Sequence, residues 1–232
     1  MSIADRLTEV RARIAAAARS AGRDPASVLL VAISKTFPVD RVRDAYAAGQ
    51  RDFGENRVQE ALDKIDATRG LPLRWHLVGH LQSNKARRAA AAFAAIQSVD
   101  SAALLQKVDE GAAEAGASPE LLIQIALAGE AAKFGVPPAG VPPLFEAAAR
   151  LRAARLVGVM TLPPYPETPE DSRPWFRRLR ELRDGWLAAG VPAAMLRELS
   201  MGMSGDFEVA VQEGATIVRV GTAIFGRRAP MP

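Results

Sequence analysis

Five lysines stand against 25 arginines in this 232-residue chain. Arginine stays protonated and cannot form an imine, whereas a lysine amine can lose its proton and attack an aldehyde. Where a bare positive charge suffices this sequence uses arginine, so a lysine in a special place is there for its nitrogen. Lys35 has such a place, just beyond the apolar run Val28-Leu-Leu-Val-Ala-Ile33 and Ser34. Lys64, Lys85, Lys107 and Lys133 fall on predicted helices or polar loops. An amine partly screened from water is pushed toward its neutral, nucleophilic form. The plain alternative is a lysine whose stem lies on apolar surface with its ammonium in water.

A second group of residues suits an anion. Ser200-Met-Gly202-Met-Ser204-Gly205-Asp206 joins an apolar run to a predicted helix, and Gly221-Thr222 repeats the pattern after the next run. Glycines and serines before a helix leave backbone N–H groups pointing at a ligand, and the helix dipole favours negative charge. Ordinary turn chemistry explains either segment alone. Arg219 sits inside Ile217-Val-Arg-Val-Gly221, where alternation puts residues 217, 219 and 221 on one face. A buried guanidinium needs a partner: a ring-nitrogen acceptor, or a carboxylate such as Glu198.

Both histidines lie in Trp75-His-Leu-Val-Gly-His80. Extended chain would hold their rings roughly 13 Å apart, too far to share one ion. His80, after the glycine, is a site candidate; His76 reads as a core or barrel-bottom residue. Asn56, in Phe53-Gly-Glu-Asn56-Arg57, either caps a helix or packs against a bound ring.

The elements that must position these groups alternate along the whole chain. Helical spacing of Ile3, Leu7, Val10 and Ile14 predicts a helix over 2–22. Strands are predicted at 28–33, 51–54, 75–78, 94–99, 121–126, 156–160, 196–200 and 217–221. Helices are predicted at 38–49, 56–68, 82–92, after a cap at Asp100 or Ser101, near 141–153, at 170–189 and at 205–213, with a short helical turn from Thr222. Eight strand–helix units of about 29 residues fit a small closed (β/α)8 barrel, a TIM barrel with an extra N-terminal helix, as a single domain over 1–232. An open doubly wound sheet lacks support, because no Gly-x-Gly-x-x-Gly follows the first strand. In a barrel, chemistry collects at the C-terminal ends of the strands, and phosphate sites follow strands seven and eight. Strand eight pairs with strand one, so Lys35 and the two glycine-serine segments face one mouth.

Composition narrows the classes. Cysteine is absent, which removes disulfides and thiol nucleophiles and fits a reducing compartment. The net charge is +4, with arginine interleaved with acidic residues and aromatics at 6%, so nucleic-acid binding is not expected. No apolar run is long enough for a membrane span, and charges in the first turns argue against a secretory signal. The expectation is a cytoplasmic monomer.

Five motifs taken together carry a resemblance. Val31-Ala-Ile-Ser-Lys35-Thr, Phe53-Gly-Glu-Asn56, Trp75-His-Leu-Val-Gly-His80-Leu-Gln-Ser-Asn-Lys85, Leu199-Ser-Met-Gly-Met-Ser204-Gly-Asp206 and Val218-Arg-Val-Gly-Thr222-Ala-Ile-Phe-Gly226 occur in order across almost the whole chain. In this the chain resembles the pyridoxal phosphate homeostasis protein family. The resemblance implies a barrel like the N-terminal domain of alanine racemase and a covalent aldimine between Lys35 and pyridoxal 5′-phosphate (PLP). It implies that Ser200, Gly221 and Thr222 hold the phosphate with Gly202 and Ser204 nearby, that Arg219 faces the pyridine nitrogen, and that Asn56, His80 and Met160 surround the ring. Lys133-Phe-Gly-Val136 is similar to the family's solvent-facing loop.

The expected role is a carrier or buffer of PLP that serves vitamin B6 homeostasis and supplies apo-enzymes. The competing expectations are a PLP-dependent amino-acid racemase and a barrel enzyme in which Lys35 forms an imine with a phosphorylated sugar. Against the racemase, an arginine at the ring nitrogen weakens the electron sink, although alanine racemase carries such an arginine and is active, so the resemblance implies lowered rather than absent turnover. A second domain bringing a catalytic tyrosine is also not expected, which leaves Tyr46 and Tyr165.

Overall fold

The computed structural model describes residues 1–128 and 134–226. Lys133, at the start of the loop singled out above, lies outside them. Eight parallel strands close into one barrel in sequence order: β1 (Leu29–Ile33), β2 (Asp52–Glu55), β3 (Arg74–Leu77), β4 (Ala95–Val99), β5 (Glu120–Ile125), β6 (Arg155–Thr161), β7 (Glu198–Ser200) and β8 (Ile217–Val220). The ring shuts where β1 pairs with β8, in register Leu29↔Ile217 through Ala32↔Val220.

Helices follow the strands: α1 (Ile3–Ser20) before β1, then α2 (Val39–Ala47), α3 (Val58–Ala67), α4 (Ala86–Ala92), α5 (Ala102–Ala115), α6 (Pro142–Ala148), α7 (Arg173–Ala188), α8 (Phe207–Gln212) and α9 (Thr222–Phe225). Helix α1 starts at a reciprocal cap between Ser2 and Asp5. Of the two cap candidates before α5, Ser101 does the work, accepting from Leu104 N. Several helices are shorter than periodicity suggested. Residues 83–85 and 169–172 form tight 3-10 turns ahead of α4 and α7. Strand β7 keeps three residues, because Leu196 ends another such turn.

The larger apolar core lies between barrel and helices, with Phe53, Leu77, Ile96, Leu121, Phe176 and Phe207 fully enclosed. Helix α9 is one turn long, and α1 packs against α8, α9 and α2 beside it. Its buried stripe Ile3, Leu7, Val10 and Ile14 therefore covers the β8–β1 seam that the short α9 leaves open. A second, smaller apolar cluster fills part of the lumen: Val31, Ile33, Val78, Leu122, Val157, Met160 and Ile217. The rest of the lumen is polar, with His76, Gln97, Ser200 and Arg219 all buried. No helix among the described residues is long and apolar enough to cross a membrane.

Candidate functional site

Lys35 leaves the end of β1 in a turn held from behind. Ser34, fully buried, donates through Oγ to Glu55 Oε1 at 2.7 Å. Lys64 on α3 donates to the Ser34 carbonyl at 2.8 Å, to Glu55 Oε1 at 2.7 Å and to Glu60 Oε1 at 2.9 Å. Glu60 in turn accepts from the Thr36 backbone N–H. Thr36 has φ +68, unique among the described non-glycine residues. A β-branched residue is uncomfortable there. The Glu55–Lys64–Glu60 group grips Ser34 on one side of Lys35 and Thr36 on the other, which over-determines the turn. Burial pushes the Glu55 carboxyl above its usual range, with Lys64 opposing only in part. Burial would also raise Glu60, but the bonds from Lys64 and Thr36 outweigh it and hold Glu60 low.

The opposite wall comes from β7, β8 and their loops. At Gly202 the chain turns with φ +91, and a Cβ there would come within 2.5 Å of the Ala210 methyl. The following loop is tied by Asp206, buried to 1% exposure, which accepts from Met203 N at 2.6 Å and from Ser172 Oγ at 2.7 Å. Ser204 is thereby set beside the β8 exit, where its Oγ accepts from Gly221 N at 3.1 Å and Ala223 N at 3.4 Å. Gly221 lies against β1: a Cβ would stand 3.3 Å from the Ile33 carbonyl oxygen.

Arg219 points inward as alternation required and is 3% exposed. It donates to Ser200 Oγ at 2.6 Å and to the Thr161 carbonyl at 2.9 Å. Glu198 is not its partner; that carboxylate takes Arg197 and the Thr216 hydroxyl instead. Burial lowers the guanidinium pKa to about 10, with Asp206 opposing. At neutral pH it remains a cation.

These walls enclose a cavity of about 700 Å³ at the C-terminal mouth of the barrel, lined by Lys35, Asn56, Ser204, Arg219, Gly221 and Thr222 among others. That volume suits a small organic ligand. Smaller hollows of about 540 and 350 Å³ lie beside His80 and under α1.

Four of the ten residues named from sequence stand elsewhere. Ser200 is fully buried below the cavity, its Oγ occupied by Arg219 and by Gln97, to whose Oε1 it donates at 2.6 Å. Gly202 acts through the turn, and its carbonyl accepts from Arg219 N. Met160 is fully buried in the lumen cluster with Ile33 and Val78, two residues of the cavity floor. His80 turns outward: its Nδ1 lies 3.3 Å from Asp100 Oδ2, and its ring stacks on Phe134 at 4.2 Å. His76 is buried, as a core or barrel-bottom residue should be, at 1% exposure.

The sequence reading missed several contributors. Glu55, Glu60 and Lys64 share one motif neighbourhood, and Glu60 and Lys64 stand four apart on a helix, a signal that was there to use. Asp206 and Ser172 are 34 positions apart, and no local pattern joins them. Leu162 lines the mouth from the β6–α7 loop beside Tyr165, which the sequence did single out and which is 95% exposed.

The family model described as alanine racemase, N-terminal domain, matches residues 6–229. A pyridoxal phosphate homeostasis protein of Aquifex aeolicus is 44% identical over 228 residues, covering 98% of this chain and 99% of that one. Its counterpart in Pseudomonas aeruginosa is 46% identical, with 98% and 96% covered. The structure of PipY from Synechococcus elongatus PCC7942, with PLP bound, superposes with a TM-score of 0.85 at 42% identity, covering 97% of this chain and all of that one. Barrel, motif order and near-complete coverage agree, and the chain belongs to the pyridoxal phosphate homeostasis protein family, built on the alanine racemase N-terminal domain.

Proposed function

We propose that this chain binds PLP in the mouth cavity and stores and hands on the cofactor for vitamin B6 homeostasis. The observation that carries this reading is that Lys35, in the turn after β1, and the Ser204–Gly221–Thr222 wall, from the segments that follow β7 and β8, line one cavity with Arg219 in its floor. The donor set fits the cofactor group by group. A primary amine meets an aldehyde, hydroxyls with clustered backbone N–H groups meet a phosphate, and a guanidinium without an ion pair among the described residues meets a ring nitrogen. The relatives' names and the PLP-bound PipY structure support the same assignment.

When bound, PLP supplies an electrophilic aldehyde and a conjugated ring that can draw electrons from an attached carbon. Lys35 would hold the aldehyde carbon through Nζ, the aldehyde oxygen leaving as water, while the Glu55–Lys64–Glu60 group keeps its turn from drifting. Ser204, Gly221 and Thr222 hold the phosphate, and Asn56 flanks the ring. Arg219 can only donate, so it leaves the ring nitrogen unprotonated and the electron sink weak. Ser200, Gly202 and Met160 support this site from beneath, and His80 stands at its outer margin. Weak electron withdrawal favours keeping and releasing the cofactor over substrate turnover. We place this role in a cytoplasmic monomer whose recipients are PLP-requiring apo-enzymes.

The deciding experiment is PLP titration, borohydride reduction and peptide mapping. A visible absorption band and a pyridoxyl group on Lys35 are expected. An adduct on another lysine would overturn the assignment, and rapid racemisation of an amino-acid panel would favour the enzyme.

A further inference from the structure

Beneath the cavity the lumen holds a row of polar side chains that packing alone does not require. Asp52 on β2, His76 on β3, Gln97 on β4, Ser200 on β7 and Arg219 on β8 are all buried. His76 Nε2 lies 2.9 Å from Asp52 Oδ1, and His76 Nδ1 lies 3.1 Å from Gln97 Nε2. Ser200 Oγ stands 2.6 Å from Gln97 Oε1 and 2.6 Å from an Arg219 nitrogen. Strands β4 and β7 are not neighbours, so the Gln97–Ser200 bond crosses the lumen. At its far end Asp52 also meets the half-exposed Arg74 at 3.6 Å.

The two ends dictate every direction between them. A guanidinium has donors only, so Ser200 accepts from Arg219 and has one O–H left to give. That hydroxyl goes to Gln97, which must therefore present its carbonyl to Ser200 and its NH2 to His76. Nδ1 of His76 then accepts, and its ring proton sits on Nε2, aimed at Asp52. A carboxylate accepts only, so the other end demands the same arrangement. Four hydrogen bonds link the five groups, each donating in one sense from a cation to an anion, and such chains polarise one another in a low-dielectric interior.

We propose that Asp52, His76, Gln97 and Ser200 are positioning residues for Arg219, forming a one-way hydrogen-bond chain that carries the polarity of the Asp52 carboxylate across the barrel. The chain sets how strongly Arg219 donates to a heteroaromatic nitrogen in the cavity. The identity of that nitrogen rests on the PLP reading above; the chain itself does not. Among the described residues Arg219 has no ion pair, and this row is its connected route to a carboxylate.

The chain contains two histidines, so labelling histidine with the heavy nitrogen isotope gives a simple NMR spectrum, assigned with a His80→Gln variant. In the PLP-free protein His76 should show the Nε2–H tautomer. Saturating PLP should displace the His76 nitrogen signals although that ring does not line the cavity, and Gln97→Met should abolish the displacement at saturation of its own visible band. A His76 proton on Nδ1 or on both nitrogens overturns the proposal, as does a PLP-induced displacement that persists in Gln97→Met. If Gln97→Met does not fold, the tautomer in the natural chain decides. If PLP yields no visible band, the cofactor reading fails by itself, and the tautomer still judges the chain.

Discussion

Arg219 combines two demands that seldom meet. It must be buried to face a ligand in the barrel mouth, and it must remain charged without an ion pair among the described residues, with only the more distant Asp206 opposing its burial. Replacing it with glutamate would set a carboxylate against the Thr161 carbonyl and invert the charge under the cavity. The PLP absorption band of Arg219→Glu should shift in position while far-ultraviolet dichroism stays that of a folded barrel; an unshifted band would mean that Arg219 does not touch the ring. The group behind Lys35 makes a separate prediction. Lys64→Met leaves the Glu55 carboxylate buried without its cation, which should destabilise by roughly 3–5 kcal/mol in denaturant titration. Adding Glu55→Gln should restore a large part of that loss, because the pair acts as a unit. At this scale Lys35 and Arg219 were legible, one from its place at a strand end and one from alternation within a strand. Alternation stops where the strand stops. That is why the separate places of Ser200 and Ser204, both named from sequence, could not be read: the chain reverses at Gly202, and the folded turn sets Ser204 beside the β8 exit. His80 sits in the same position of ambiguity, one residue past Gly79, and Asp100 and Phe134 draw it outward.

Among the elements, helices and loops are fastened at points with measurable consequences. Asp109 on α5 accepts from the backbone N–H groups of Arg152, Ala153 and Ala154 just before β6. Burial opposes its ionisation, but those three bonds outweigh it and hold the carboxyl below its usual range. A depressed folded-state value means that the stabilisation is present above the ordinary aspartate range and is lost as pH falls through the depressed value. Asp109→Ala should lower stability by about 1–3 kcal/mol at neutral pH. The deficit should shrink as the solution is acidified below pH ~4. A deficit that does not change with pH would contradict the ionised cap. Gly202→Ala meets both positive φ and the Ala210 methyl, and a penalty of about 1–3 kcal/mol is expected, together with weaker PLP binding because Ser204 is displaced. Strand order and helix alternation were readable from apolar runs because strands buried on both faces are continuous in sequence. Boundaries were not, since the polar 3-10 turns at Ser83–Lys85 and Pro169–Ser172 run directly into the helices they precede and carry no apolar pattern of their own to mark the change.

At the scale of the whole molecule, the barrel joins distant parts of the chain at one mouth. A ligand bound across them stabilises the native state by the free energy of its binding. PLP at a hundred times its dissociation constant should add roughly 2.7 kcal/mol to unfolding stability, read as a rise in melting temperature that Lys35→Ala abolishes. The pairing of β1 with β8 was legible from the count of strands alone, since a ring of eight must bring its first and last members together. The polar lumen was not legible, because Asp52, His76, Gln97 and Ser200 come from four strands and meet only when the ring is closed. That closure has a temporal side. Lys35 leaves the ribosome early and the Gly221 wall nearly two hundred residues later, so a growing chain has the amine long before it has anywhere to seat a phosphate. On the function proposed above, a bound coenzyme would straddle the last joint to be made and bolt the first strand to the last.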